Sequence, residues 1–177
     1  MAAMKFKFTI QGYQTDAVNS VVRVFSGQPF QDRVSYRQDA GSQDDDRNLF
    51  NWQQSDEDLF MGFANAPVSL NGTQLLHNIR EVQKGSNIKE SSSLAKHMGA
   101  CSLDVEMETG TGKTYVYIKT MFELNKQYGW SKFIVVVPSI AIREGVQKSF
   151  QMMQDHFMEL YGKKARFFVY NSKNLTD

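Results

Sequence analysis

With 177 residues, 41% of them hydrophobic and 12% aromatic, the chain is long enough for one ordinary domain with a sizeable core and too short for two. A formal charge of +1 excludes a purely electrostatic nucleic-acid binder, so any DNA contact must be local. One cysteine, Cys101, excludes an internal disulfide, and the scattered His77, His97 and His156 build no metal cluster with it. No apolar stretch approaches a membrane span and the N-terminus lacks a signal-peptide pattern, which together read as a soluble, unexported, cytoplasmic protein.

Phe6 to Ile10 alternates in strand fashion, and Tyr13, Ala17, Val21, Val24 and Phe25 fall on one face of a helix. Residues 1–25 are therefore read as an N-terminal strand and helix. Residues 26–98 read as a polar insertion with short helices: Gly27, Pro29, Gly41 and Pro67 break it, and acidic runs stand at Asp44–Asp46 and Asp56–Asp58. Within it we expect a short turn of helix near Asp56–Phe63, an amphipathic helix carrying Leu75, Leu76, Ile79 and Val82, and a loop from Gly85 to Ser93.

Residues 99–177 carry the most informative pattern in the chain. A short apolar strand candidate, Leu103-Asp104-Val105-Glu106-Met107, runs into Glu108-Thr109-Gly110-Thr111-Gly112-Lys113-Thr114, and a helix is expected over 113–127. Two glycines let a backbone curl so that successive N–H groups from Thr109 to Thr114 point inward at phosphate oxygens. Lys113 supplies a point charge for β and γ phosphates, Thr114 offers a hydroxyl to Mg²⁺, and the new helix adds its N-terminal dipole. The chemistry is ATP or GTP binding. Met107 stands where the general G-x-x-x-x-G-K-[ST] pattern has its first glycine.

Beyond the loop, Phe133-Ile134-Val135-Val136-Val137 is continuously apolar, as a strand buried on both faces would be, and Pro138 closes it. Ser139 is a natural N-cap for a long helix with Ile142, Val146, Phe150, Met153, Phe157 and Leu160 at steps of three or four, and Gly162 is placed to end it. Arg166-Phe167-Phe168-Val169-Tyr170 is a third strand candidate. Strands separated by helices predict a parallel sheet with the phosphate loop at a strand's carboxyl end. Free N–H groups at Pro138-Ser139 and the charge of Arg143 one turn on could hold a DNA phosphate, or form an ordinary capped helix with a solvated arginine. Gln14 likewise has two readings: its amide donates and accepts at once, which suits an adenine edge and equally a polar first-turn position on a packed helix.

Three segments in this order resemble the ATP-driven helicase and translocase superfamily 2 that includes DEAD/DEAH-like proteins, and within it the restriction (Res) subunit of type III restriction–modification enzymes. They are Ile10-Gln11-Gly12-Tyr13-Gln14-Thr15-Asp16-Ala17-Val18, then Leu103 to Tyr117 with Met107 included, then Phe133 to Val146. The resemblance implies an α/β fold: a partial RecA-like P-loop domain with a parallel sheet flanked by helices, preceded by an irregular N-terminal region. It implies an ATP-dependent hydrolase, the N-terminal portion of a DNA translocase and endonuclease, with ATP and Mg²⁺ as cofactors. Gln14 would read adenine, Thr109, Gly110, Thr111, Gly112, Lys113 and Thr114 would hold the nucleotide, and Lys113 would be the catalytic cation. Pro138, Ser139 and Arg143 would touch double-stranded DNA, and a modification methyltransferase subunit would be the partner. Another superfamily helicase without a nuclease, or a non-catalytic nucleotide-binding remnant, is the alternative.

Asp56-Glu57-Asp58 mimics an acidic box but precedes the loop and lacks an apolar strand, so it reads as a charged surface turn; Glu106 and Glu108 receive no role. No acidic box, second motor domain or nuclease cluster follows Tyr170, so the isolated chain is expected to hold part of an ATP pocket and to hydrolyse ATP negligibly.

Overall fold

The computed structural model describes residues 8–31, 34–36, 62–97 and 99–170. These form four helices and one small ladder: α1 (Gly12–Val24), β1 (Val34–Tyr36), β2 (Gly62–Ala64), α2 (Gly72–Gly85), α3 (Lys113–Tyr128) and α4 (Ile140–Tyr161). Backbone contacts divide the chain into two compact units, one running from Gly12 to Val135 and the other formed by residues up to Gln11 with those from Val136 on. No helix among the described residues is long and apolar enough to cross a membrane.

Each helix has a local reason to start or stop where it does. Asn71 and Gln74 close a reciprocal capping box on α2, the Asn71 side chain accepting from Gln74 N at 2.9 Å and Gln74 accepting from Asn71 N at 3.0 Å. Helix α3 ends at Gly129, whose left-handed conformation (φ 80°) lets its N–H reach the Asn125 carbonyl. Ser139 caps α4 by accepting from Ile142 N, and Gly162 (φ 65°) ends it, as the sequence predicts.

In the Gly12–Val135 unit, Val18 and Val22 of α1 pack with Val116, Leu124 and Tyr128 of α3 and with Ala66 and Trp130. The Trp130 indole donates to the Ala66 carbonyl at 2.9 Å and its ring meets Phe25 edge-on, so the one polar atom of a large buried aromatic is satisfied. A second cluster joins Val24 to Leu75 and Ile79 of α2. Between them Gln28, buried, donates to the Pro67 carbonyl and accepts from Ser69 N, stitching the end of α1 to the segment entering α2. Helix α1 buries Gln14, Val18, Val22 and Val24: Val24 lies on the face expected from periodicity, while the first three are one residue along from Tyr13, Ala17 and Val21, because packing against α3 selects one of two adjacent stripes.

The expected parallel sheet is overturned. The described residues contain one antiparallel two-stranded ladder, with Val34 opposite Ala64, and no parallel pairing. The segments 103–107, 133–137 and 166–170 lie outside any strand. The α/β reading with a sheet flanked by helices therefore does not describe this chain, whose regular structure is predominantly helical. A helix satisfies its own backbone, whereas an extended segment needs a neighbour at ladder distance, and apolar character alone does not supply one. Side-chain exposure agrees: Ile134 and Val136 are 91% and 87% exposed, the reverse of a strand buried on both faces.

The strand expected over Phe6–Ile10 is absent from residues 8–10, and Phe6 and Lys7 lie outside the described residues. So do Asp44–Asp46, Asp56–Asp58 and most of the helical turn expected near Asp56–Phe63, whose described end, Gly62 and Phe63, lies in strand β2.

Candidate nucleotide-binding loop

The loop from Met107 to Lys113 turns at Thr109–Gly110 and re-enters regular structure at Lys113. Gly110 (φ 83°) and Gly112 (φ 88°) both sit in the left-handed region that side chains disfavour. The two glycines face different surroundings. A Cβ on Gly110 would meet open space, while one on Gly112 would lie 2.5 Å from Gln14 Nε2. Gly112 is thus required twice over, by its backbone angle and by the amide packed against it.

Lys113 folds back across the loop. Its Nζ donates to the Met107 carbonyl at 2.8 Å and the Glu108 carbonyl at 3.0 Å, tying the end of the loop to its beginning. The Thr111 hydroxyl donates to the Glu108 carbonyl at 2.6 Å. Met107 explains its own presence in place of a glycine: its side chain packs against the cluster around Val18 and Trp130, and its backbone is not among the positive-φ positions, so no glycine is demanded there. The side chain anchors the loop's first residue in the core while the carbonyl is left to receive Lys113.

At the other end, Gly112 is the N-cap of α3 and no side chain caps that first turn. Helix geometry leaves the first N–H groups without intrahelical acceptors, the first regular bond being Val116 N to the Gly112 carbonyl at 3.1 Å. Those donors and the helix dipole favour an anion. Thr114 lies in this turn beside Tyr117. Burial pushes the Tyr117 phenol above its usual range, the Thr114 side chain acting the other way to a lesser degree. The two do not reach hydrogen-bonding geometry, and the buried Tyr117 hydroxyl has no partner among the described residues.

The first turn of α1 closes over the same loop. Gln14, buried at 9% exposure, donates from Nε2 to the Thr111 carbonyl at 2.9 Å; the amide orientation follows from that carbonyl being an acceptor. Tyr13 donates its hydroxyl to the same carbonyl at 3.1 Å. The structure therefore brings Gln14 together with Thr111 and Gly112 across 97 residues of sequence. The sequence places Tyr13 on a packing face and in the segment that resembles the superfamily but assigns it no site role; nothing in a tyrosine before a glutamine signals a carbonyl so far along the chain.

Pro138, Ser139 and Arg143 belong to the other unit. Ser139 spends its side-chain oxygen on Ile142 N at 3.3 Å. Arg143 pairs with Glu144 at 3.2 Å, and its Nε is buried without a partner among the described residues.

A profile of the family described as type III restriction enzyme, res subunit, matches residues 72–175, which takes in α2, the loop, α3 and α4. The chain is 39% identical over 113 residues to the Res subunit of the type III restriction-modification enzyme EcoP15I of Escherichia coli, covering 62% of this chain and 11% of that protein. It is 36% identical over 114 residues to the EcoPI Res subunit of Escherichia phage P1, again 62% of this chain and 11% of the relative. Over 62 residues it is 48% identical to the StyLTI Res subunit of Salmonella typhimurium, or 34% of this chain and 6% of the relative. The chain thus spans about a tenth of the length of the first two relatives, at 11% of each. More than half of its residues match one family profile, and the chain belongs to the type III restriction enzyme Res subunit family.

Proposed function

We propose that this chain carries the phosphate-gripping part of the ATP site of a type III restriction subunit, an ATP-dependent DNA translocase and endonuclease. The observation that carries the reading is the looped-back Lys113 beside an uncapped helix start. An amino group held by the Met107 and Glu108 carbonyls closes a ring of backbone that leads into a helix start with no side-chain cap, a terminus that favours an anion. The residues fit the group: the space beside Gly110 is open to an approaching phosphate, and a Cβ there would meet nothing.

In this reading the amides from Thr109 to Thr114 would hold the phosphates, and Lys113 would supply the cation for the β and γ oxygens. Thr114 would present its hydroxyl to Mg²⁺. Gln14 keeps one N–H and its carbonyl oxygen for an adenine edge while its other N–H stays on Thr111. When bound, ATP with Mg²⁺ supplies the hydrolysable anhydride that powers movement on DNA. Pro138, Ser139 and Arg143 are proposed to meet a DNA phosphate, with double-stranded DNA and a modification methyltransferase subunit as partners of the whole enzyme. The organisation that goes with this function is an N-terminal part, residues 1–25, contributing Gln14, a polar insertion, 26–98, and the nucleotide-loop part, 99–177.

The test is a titration of a fluorescent ATP analogue. Losing one charge-assisted contact costs about 1.5–3 kcal/mol, so Lys113→Ala is expected to weaken binding by roughly tenfold to a hundredfold. An unchanged dissociation constant in that variant removes the assignment.

A further inference from the structure

Lys119 lies on α3, six positions beyond Lys113, and is 7% exposed. Lysines are almost never so buried unless paired with a carboxylate. Here no carboxylate stands within ion-pair distance among the described residues. Nζ instead lies 3.2 Å from the Thr15 hydroxyl of α1 and 5.9 Å from the centre of the Tyr115 ring, one turn back on its own helix. A long polar side chain enclosed in this way loses rotamer freedom and hydration, and an apolar residue of similar length would fill the space without that cost. What the lysine adds over such a residue is one directed bond from α3 to α1.

That bond lands next to Gln14, whose amide is fitted to a tolerance of tenths of an ångström: Nε2 lies 2.9 Å from the Thr111 carbonyl and occupies the place where Gly112 would carry a Cβ. We propose that Lys119 is a positioning residue: by holding Thr15, it fixes the first turn of α1 in register against the nucleotide loop and so sets how well Gln14 distinguishes adenine from guanine. The proposal rests on the ATP reading for its ligand and on the ligand-free geometry for its linkage. The phosphate grip, made by Lys113 and the amides from Thr109 to Thr114, meets the first turn of α1 through the Thr111 carbonyl and Gly112 and is expected to depend on it less than the adenine contact does.

The experiment uses Lys119→Met, Lys119→Arg and Thr15→Val in the 177-residue chain, with two readouts. The first is the side-chain amide resonance of Gln14 in ligand-free, ¹⁵N-glutamine-labelled protein. It is expected to move to the position of a solvated glutamine in Lys119→Met and Thr15→Val, and to return in Lys119→Arg. The second is competition of ATP, GTP and inorganic tripolyphosphate against a fluorescent nucleotide. Lys119→Met and Thr15→Val are expected to lose roughly fivefold to twentyfold in ATP affinity, close to one hydrogen bond's worth, with tripolyphosphate changed less than about twofold and the ATP-to-GTP preference narrowed accordingly. Lys119→Arg restores the preference, which a residue acting only through packing would not do.

A Gln14 resonance unmoved in both Lys119→Met and Thr15→Val overturns the proposal, as does an equal loss of ATP and tripolyphosphate affinity. If the parent chain binds no nucleotide while the Gln14 resonance responds as expected, the ATP reading fails and the linkage stands.

Discussion

The two units differ in what their apolar residues do. In the Gly12–Val135 unit, α1, α2 and α3 converge on shared clusters, and Trp130, Tyr128 and Gln28 each find a polar partner inside. In the other unit, the 22-residue helix α4 buries only Met153 and Phe157, while Ile140, Ile142, Met152, Met158 and Leu160 remain exposed. Helices α2 and α4 both carry a side-chain N-cap. A helix forms on local terms, from caps and self-contained hydrogen bonds, but the larger stabilisation, about 1.5–3 kcal/mol per buried large apolar side chain, comes only where a second surface receives it.

The comparison breaks most decisively through paired truncations. Trp130→Ala removes a buried ring and leaves the Ala66 carbonyl unpaired, so urea denaturation is expected to report a loss of about 3–5 kcal/mol. Phe168→Ala, at a side chain 93% exposed, is expected to change stability by no more than about 0.5 kcal/mol. Comparable losses from the two would mean that Phe168 is as deeply packed as Trp130 and that the contrast between the units is wrong.

The next effect concerns the loop. Gly112→Ala forces a side chain into φ 88° and against Gln14, while Gly110→Ala meets only its own backbone angle, φ 83°, in open space. A left-handed residue costs about 1–2 kcal/mol, which is all Gly110→Ala is expected to lose. Gly112→Ala is expected to lose more and to regain the excess when combined with Gln14→Ala, a coupling a double-mutant cycle measures directly. Identical losses for the two glycines would dissolve the distinction.

What was legible in the sequence divides along the same physical line. The helix from Lys113, the Ser139 cap and the Gly162 stop depend on a few adjacent residues and match the expectation from sequence. The runs 103–107, 133–137 and 166–170 were read as strands because apolar continuity suits a buried strand; pairing is a property of two segments, and one segment's composition is silent about it. Over its first three turns the buried stripe on α1 is displaced by one residue, because Val21 and Val22 are equally apolar and α3 chooses between them, whereas Val24 is buried as expected. At the loop, Gly112's dependence on Gln14 and the Lys119–Thr15 contact lie across about a hundred residues, beyond any local pattern. Met107 looked like a departure from a motif until its packing was known.

Capping sharpens the comparison at smaller scale, since both units use it. Asn71→Ala breaks a two-bond box whose bonds are 2.9 and 3.0 Å and is expected to cost about 1 kcal/mol. Ser139→Ala removes a single 3.3 Å bond in the less buried unit and is expected to cost about half as much in thermal unfolding.

The smallest effect is alkaline. Burial raises the phenols of Tyr115, Tyr117 and Tyr128, all on α3. A tyrosine whose folded pKa lies above its unfolded value resists ionising only while folded. Its contribution is fully present below about pH 10, where both states are protonated, and is lost as pH rises through the folded value because the unfolded chain releases its proton first. The urea midpoint is therefore expected to fall above about pH 10, and Tyr117→Phe to fall less steeply. At neutral pH the same variant removes a buried hydroxyl that has no partner, so it is expected to match or exceed the parent in stability. A parent curve flat to strong alkali would mean that α3 is less enclosed than α1 and Trp130 make it, and would bring the two units closer together in kind.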